Sequence, residues 1–350
     1  MNSLYCTADK IGIETGGGVV TGNELEALRS ASEVELVVSR DNIAPELFGQ
    51  PDSPFLYDYF ALEQIKDKHF DLAHFYSWTF TQTVSWLKSQ GTKVTYTVPA
   101  HDRKLTVEEF ARMGLDYPFH HIKDDDLWQI YSEGYRLADV IIAPSKKSAE
   151  FLKSEGCKKV VVIPHGTDLP KQVIPMPKRF DVGYLGAVGP DKGLIYLIQA
   201  WAILNYSDSR LLLAGGGTET LEPFVRHVAD KANFVLLGRV ASPSDLYNAC
   251  SVYCQPSVVE GFGIGILEAM AHGRPVIASE GAGASDLVDN GVNGFVVPIR
   301  SPEAIAEKVN LMKSMPHYDL IQMGQKARKK ARNYTWGRIR RRYADVFAAL

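Results

Sequence analysis

The residues with the clearest chemical potential lie in one stretch, PSVVEGFGIGILEAMAHGRPVIAS at 256–279. Its pattern reads as strand, polar glycine turn, helix and strand. Glu260 falls in the turn, and Glu268 stands eight residues on, inside the helix. A rise of about 1.5 Å per residue sets the two carboxylates on the order of 10 Å apart. That exceeds the roughly 5–9.5 Å between carboxylates that flank one glycosidic bond in a hydrolase. It suits an extended ligand with hydroxyl-bearing rings on either side of a diphosphate. The diphosphate would lie over the backbone N–H groups of Gly261 to Gly265, at the positive end of the helix. A sugar nucleotide is such a ligand. Taken alone, the segment reads equally well as a tight turn with two solvated glutamates.

Three further glycine clusters offer close backbone approach: GGG at 16–18, GAVGPDKG at 186–193 and GGG at 215–217. None satisfies G-x-G-x-x-G, and none satisfies G-x-x-x-x-G-K-[ST], because Lys192 precedes its glycine. Nicotinamide-dependent hydride transfer and P-loop hydrolysis both lose ground. Asp124 and Asp126 form a D-x-D in KDDDLW, a pattern that holds metal in some transferases. This one follows YPFHHI and leads into a helical pattern, so it reads as a solvated helix start whose acids favour the dipole. No catalytic metal and no cofactor is expected. Cys6, Cys157, Cys250 and Cys254 are scattered and read as small buried apolar residues in a reducing compartment.

The elements that must hold these residues alternate as short β-branched runs and longer amphipathic stretches, the signature of parallel α/β sheets. Strand candidates in the first half are 34–39, 71–76, 93–98, 139–144 and 159–164. Those in the second are 181–186, 210–215, 234–238, 252–257, 275–279 and 294–298. Between the halves, HGTDLPKQVIPMPKRF (165–180) holds three prolines and no apolar period, so it reads as a linker. Each half is expected to be a doubly wound, Rossmann-like sheet with binding residues at the carboxyl ends of its strands. A ligand cleft is expected between them.

Length and composition agree. The 350 residues suggest two domains, and 45% hydrophobic with 23% charged residues is ordinary for a globular chain. A net charge of −3 argues against a nucleic-acid partner. No basic leader precedes an apolar stretch at the N-terminus, and no apolar run nears the roughly 20 residues of a membrane span. A cytoplasmic location is the expectation. Lys326, Arg328, Lys329, Lys330, Arg332, Arg338, Arg340, Arg341 and Arg342 fall in one short basic window. A solvated helix face is favoured, with weak association at the inner membrane face as the competing reading.

Taken in order, these segments resemble the retaining family-4 glycosyltransferases (glycosyl transferases group 1) of the GT-B architecture. EGFGIGILEAMAHGRPVIAS is similar to that family's E-x7-E segment, and GYLGAVGPDKG to its donor-diphosphate loop. LLLAGGG and FVLLGRV resemble the strands beside the nucleotide pocket. ADVIIAPSKKSAEFL with VVVIPHGTD resembles the run into the hinge. DLVDNGVNGFVVP and YTWGRIRRRY resemble the C-terminal side. Together they cover nearly the whole chain.

The resemblance implies an acceptor-side domain at 1–166, a linker at 167–180, a donor domain at 181–334 and a helix at 335–350 crossing back to the first domain. It implies transfer of a sugar from a nucleoside-diphosphate sugar to a sugar, lipid-linked or small-molecule hydroxyl, with retention and without metal. Glu260 would meet the transferred sugar's hydroxyls, helped by Gly261, Phe262 and Gly263, and Glu268 would accept from the ribose. Lys192 would neutralise the diphosphate, and the backbone of Arg239 and Val240 would hold the base. Gly17 and Gly18 would let the chain pass the diphosphate, and His101, closing VTYTVPAH, would line the sugar–acceptor junction. One departure stands out: Ala187 occupies the place where the family usually has an arginine, which Arg103 or Arg239 would have to replace. A GT-B-fold epimerase or hydrolase, and a non-catalytic nucleotide-sugar-binding subunit, remain the alternatives.

Overall fold

A computed structural model describes the chain except for residues 8, 10, 13–15, 40–52, 77–79, 100–101, 119 and 218–232. It divides into two units. The first comprises Met1–Val107, Asp116–His165 and Trp336–Leu350, and the second Glu108–Leu115 and Gly166–Thr335.

The first unit holds strands β1 (Asn2–Thr7), β2 (Glu33–Val38), β3 (Leu72–Tyr76), β4 (Lys93–Thr97), β5 (Val140–Ala143) and β6 (Val160–Val162). They form one parallel sheet in the order β2-β1-β3-β4-β5-β6. Its described helices are α1 (Gly16–Ala31), α2 (Ser53–Ile65), α3 (Thr81–Ser89), α4 (Arg103–Arg112), α5 (His120–Lys123), α6 (Asp125–Leu137) and α7 (Lys146–Ser154). The last turn of α4 counts with the second unit.

Side-chain alternation assigns the sheet's faces. Leu4, Cys6, Ala73, Phe75, Val94 and Tyr96 point into one apolar core. The other face carries a buried polar cluster. His74 shares a hydrogen bond with Thr95 Oγ1 at 2.8 Å and lies 3.3 Å from Glu24 Oε2, which also accepts from the Tyr5 hydroxyl at 3.1 Å. The chain's last helix, Trp336–Ala348, packs on α1 over this cluster and sets Phe347 4.9 Å from the His74 ring. Asp124 caps α6, its carboxylate accepting from the N–H groups of Asp126 and Leu127, so the D-x-D pattern is a helix start.

The second unit holds β7 (Val182–Leu185), β8 (Leu211–Ala214), β9 (Phe234–Gly238), β10 (Val252–Gln255), β11 (Val276–Ser279) and β12 (Gly294–Val297). All pairs are parallel, in the order β12-β11-β10-β7-β8-β9. Its described helices are α8 (Leu194–Leu204), α9 (Pro243–Ala249), α10 (Ile264–Ala271), α11 (Pro302–Ser314) and α12 (His317–Ala331); the last helix, α13 (Trp336–Ala348), is the one returned to the first unit.

Alternation again splits the core. Leu211, Leu213, Val252, Cys254 and Ile277 face one layer, while Leu212, Ala214, Tyr253, Val276 and Ala278 face the other. Strands run outward from β7 in both directions, so the order reverses between β7 and β10. In doubly wound sheets the crevice outside the strand ends at such a reversal is where ligands bind.

Residues 164–181 form neither helix nor strand, apart from Thr167, whose N–H donates to Tyr334 O at 2.9 Å. All four cysteines are buried thiols. Among the described residues, no helix is long and apolar enough to cross a membrane. Part of the basic window is engaged: Lys330 pairs with Asp289 at 3.0 Å, and Arg342 donates to Val162 O at 2.7 Å.

Candidate functional site

The loops leaving β7 and β10 flank the reversal point, and they are joined through backbone. The N–H groups of Val258 and Val259 donate to Asp191 O at 2.8 and 3.1 Å. Gly193, at φ +62°, ends the tight turn Pro190–Lys192, and a Cβ there would lie 2.2 Å from Pro256 O. Only glycine permits that approach. The junction brings Lys192 Nζ to 2.7 Å from Glu260 Oε2 and 3.2 Å from Asp191 Oδ2. Burial alone would depress the ammonium, but the Glu260 and Asp191 carboxylates override it and hold it well above its ordinary range. Lys192 therefore stays charged. Glu260 is fixed from behind: its N–H donates to Gly281 O at 3.1 Å and its carbonyl accepts from Gly283 N–H at 3.0 Å.

Gly261 and Phe262 are buried and lead to Gly263, which takes φ +86° as the residue before α10. No side chain among the described residues caps this helix start. Along it, a Cβ on Gly265 would stand 2.4 Å from Tyr253 Oη, so the first turn lies against a buried tyrosine. Glu268 then accepts a hydrogen bond of 2.7 Å from Tyr247, a buried phenol packed edge-on to Tyr253. Burial raises the Glu268 carboxyl above the usual carboxylate range; the Tyr247 bond opposes this and Asp168 adds to it.

A second seam of glycines closes the sheet's other side. Gly215 N–H donates to Gly238 O at 2.7 Å, and its Cβ, were there one, would lie 2.0 Å from Gly186 O. Beyond β9, Arg239 is exposed with its guanidinium over Gly216, and half-buried Val240 packs against the cluster containing Phe262 and Ile266.

Lys192, Glu260, Gly261, Phe262, Gly263 and Glu268 thus form a continuous run, with Arg239 and Val240 on an adjoining loop. Gly17 and Gly18 open α1 in the first unit, with the Asp9 carboxylate against Gly17. His101 lies outside the described residues. At the departure from the family pattern, Ala187 O accepts from the Tyr184 hydroxyl at 2.9 Å. Arg103 is committed elsewhere, to Ile122 O, to Asp125 and to the face of Trp128, leaving exposed Arg239 as the remaining nominated replacement.

Two residues were not legible as site residues. Asp191 pairs with Lys192, and its adjacency was the available signal. Tyr247, which orients Glu268, gives none in sequence.

The family model Glycosyltransferase Family 4 matches residues 16–171, and Glycosyl transferases group 1 matches residues 179–313. The capsular polysaccharide biosynthesis glycosyltransferase CapM of Staphylococcus aureus is 36% identical over 136 residues, 37% of this chain and 36% of that protein. D-inositol 3-phosphate glycosyltransferase of Corynebacterium glutamicum is 32% identical over 167 residues, 44% of this chain and 40% of that protein. The match thus spans less than half the length of these curated relatives.

Among solved structures, sucrose-phosphate synthase from Thermosynechococcus elongatus superimposes with a TM-score of 0.77 at 21% identity, covering 100% of both chains. Anabaena HepE in complex with UDP and glucose gives 0.71 at 19%, again over 100% of both. These likenesses establish the fold, with two Rossmann-like domains of the GT-B class.

Proposed function

The chain belongs to the group 1, family-4 glycosyltransferases, and on that premise we propose that it moves a sugar from a nucleoside-diphosphate sugar to a hydroxyl acceptor, with retention and without a metal ion. The observation that carries this reading is the Lys192–Glu260 pair, 2.7 Å apart where the loops after β7 and β10 meet. Donor entry draws the ammonium to the diphosphate and frees the Glu260 carboxylate to accept from the sugar's hydroxyls. The uncapped start of α10 adds N–H groups and a positive dipole end beneath the diphosphate. Glu268, oriented by Tyr247, accepts from the ribose hydroxyls. The backbone of Arg239 and Val240 holds the base, while roles for Gly17 and Gly18 at the diphosphate and for His101 at the acceptor rest on the family resemblance alone.

In the reaction the bond between the anomeric carbon and the diphosphate oxygen breaks, while a new one forms to the acceptor oxygen on the same face. The acceptor's proton passes to the departing phosphate oxygen. Fixed positive charge at the developing oxyanion lowers the barrier, and each such donor is worth about 2.7–4 kcal/mol.

HepE was solved with UDP and with UDP-glucose, so UDP-sugars lead the donors to be screened. A thermal-shift screen of UDP-, GDP- and ADP-sugars should select one base, since binding stabilises with the logarithm of the ligand's excess over its dissociation constant. Proton NMR of the product formed in chelator should then show the donor's own anomeric configuration. Inversion, or a requirement for added divalent ion, would sink the mechanism. Glu268→Ala should weaken donor binding, and an unchanged dissociation constant would refute the ribose role. The basic window supports weak contact with anionic lipid, and co-sedimentation indifferent to lipid charge would dismiss it.

A further inference from the structure

Beside the turn that carries Lys192 lies a cavity of about 400 Å³ of a different character. Met113, Leu115, Val188, Pro190, Ile195 and Ile198 wall it, and every lining residue is apolar or glycine. Large apolar side chains ordinarily withdraw from water, yet Met113, Leu115 and Val188 are 36, 52 and 38% exposed, and all three converge on this groove. All the walls belong to the second unit, which takes in Glu108–Leu115.

The wall formed by Met113 and Leu115 is anchored. Glu109, fully buried, accepts from the Tyr196 hydroxyl and from Arg300 Nε, each at 2.6 Å. Tyr196 lies on α8 beside Ile195, so this carboxylate ties the end of α4 to the helix forming the opposite wall. Arg300 makes its contact from φ +56°, a left-handed backbone that a side-chain-bearing residue seldom adopts. Through Glu109 these contacts fix the Met113–Leu115 wall against α8.

We infer that this groove is the subsite for the hydrocarbon part of an amphiphilic acceptor, a hydroxyl compound bearing an alkyl chain. The inference rests on the transferase reading and adds the acceptor's class. Pro190 both walls the groove and begins the turn that ends at Lys192, so the groove adjoins the loop that carries the polar site. An acceptor that fills the groove and also reaches that site is apolar along its body and polar at one end. The volume falls within the roughly 300–1,000 Å³ of small-molecule sites. Eight lining residues are far fewer than the roughly 20–30 a side of a protein interface.

The test is a series of alkyl β-glucosides from two to ten carbons, each below its micelle concentration, as acceptors and in calorimetric titration. At about 0.8 kcal/mol per buried methylene, KM and Kd should fall about fourfold per added carbon until the groove is full. Leu115→Asp and, separately, Met113→Gln should flatten that slope. The reading is the slope against chain length, whatever either variant does to the rate with the shortest acceptor. A flat slope in the parent protein, or an unaltered one in both variants, overturns the subsite. So does dissociation of a dimer by Leu115→Asp in sedimentation, which would give the groove to a second copy. If no glucoside is glycosylated, calorimetry still reads the groove, so failure of the transferase reading and failure of the subsite remain distinguishable.

Discussion

Lys192 and Glu268 make opposite use of burial. At Lys192 the flanking carboxylates outweigh desolvation and the charge is kept; at Glu268 desolvation wins and the charge is resisted. Lys192→Met should therefore lower kcat about 10²–10³-fold, the loss of one oxyanion donor, in initial-rate assays at saturating donor. For Glu268 the folded carboxyl titrates above its unfolded value of about 4.3, so the folded state holds the extra proton in that window. Stability then falls as pH rises through it. Glu268→Gln should accordingly raise the melting temperature at pH 8 and lose that advantage below about pH 4. A variant equally stabilised at both pH values would contradict the shift. Spacing alone left the glycine-rich turn and its two glutamates equally readable as a solvated turn, and their roles came only with the family resemblance. Tyr247 was not legible, because its role depends on packing between elements distant in sequence.

At the scale of elements, the site is set by where strands stop and by glycines that let neighbouring loops touch. Gly193→Ala would force a Cβ into Pro256 O and strain a left-handed backbone, costing about 2–4 kcal/mol. It should also part Lys192 from Glu260, so denaturant midpoint and donor affinity should fall together. Gly291→Ala, at φ +73° with open space around it, should cost only the backbone term of roughly 1–2 kcal/mol and spare donor binding. Strands β2 to β12 all fall on short apolar runs that stand out in the sequence, most of them β-branched, although β3 (LAHFY) and β8 (LLLA) hold no β-branched residue. β1 did not stand out: NSLYCT has only Leu4, Tyr5 and Cys6 as an apolar run between polar residues, yet it is paired on both sides in its sheet. Ser3 and Thr7 are fully buried there, small enough to fit, with Ser3 Oγ 2.8 Å from Ser32 Oγ.

For the whole molecule, composition pointed to two domains, and the structure shows how the chain divides between them. The last helix returns to the first unit and covers the buried Glu24–His74 cluster, a polar centre that pays its desolvation only while α13 is in place. Phe347→Ala should cost about 3–5 kcal/mol in the transition that reports the first unit, followed by calorimetry. The net charge gave no hint of this, nor of the groove beside α8, since both arise from pairings between segments far apart in sequence.

The Lys192–Glu260 contact has a consequence for turnover. While the site is vacant, the lysine already has a counter-ion, so an incoming anion must displace a carboxylate and leave it uncompensated. A nucleoside-diphosphate sugar answers both demands, offering phosphate to the lysine and hydroxyls to the glutamate. The spent nucleotide answers only one. On the proposed function, Glu260 would compete for Lys192 again once the sugar has departed and would help to expel the product. The preference for the sugar nucleotide over the free nucleoside diphosphate should then collapse in Glu260→Ala, with slower nucleotide release in stopped-flow. An unchanged ratio of affinities would leave the glutamate a sugar contact and nothing more.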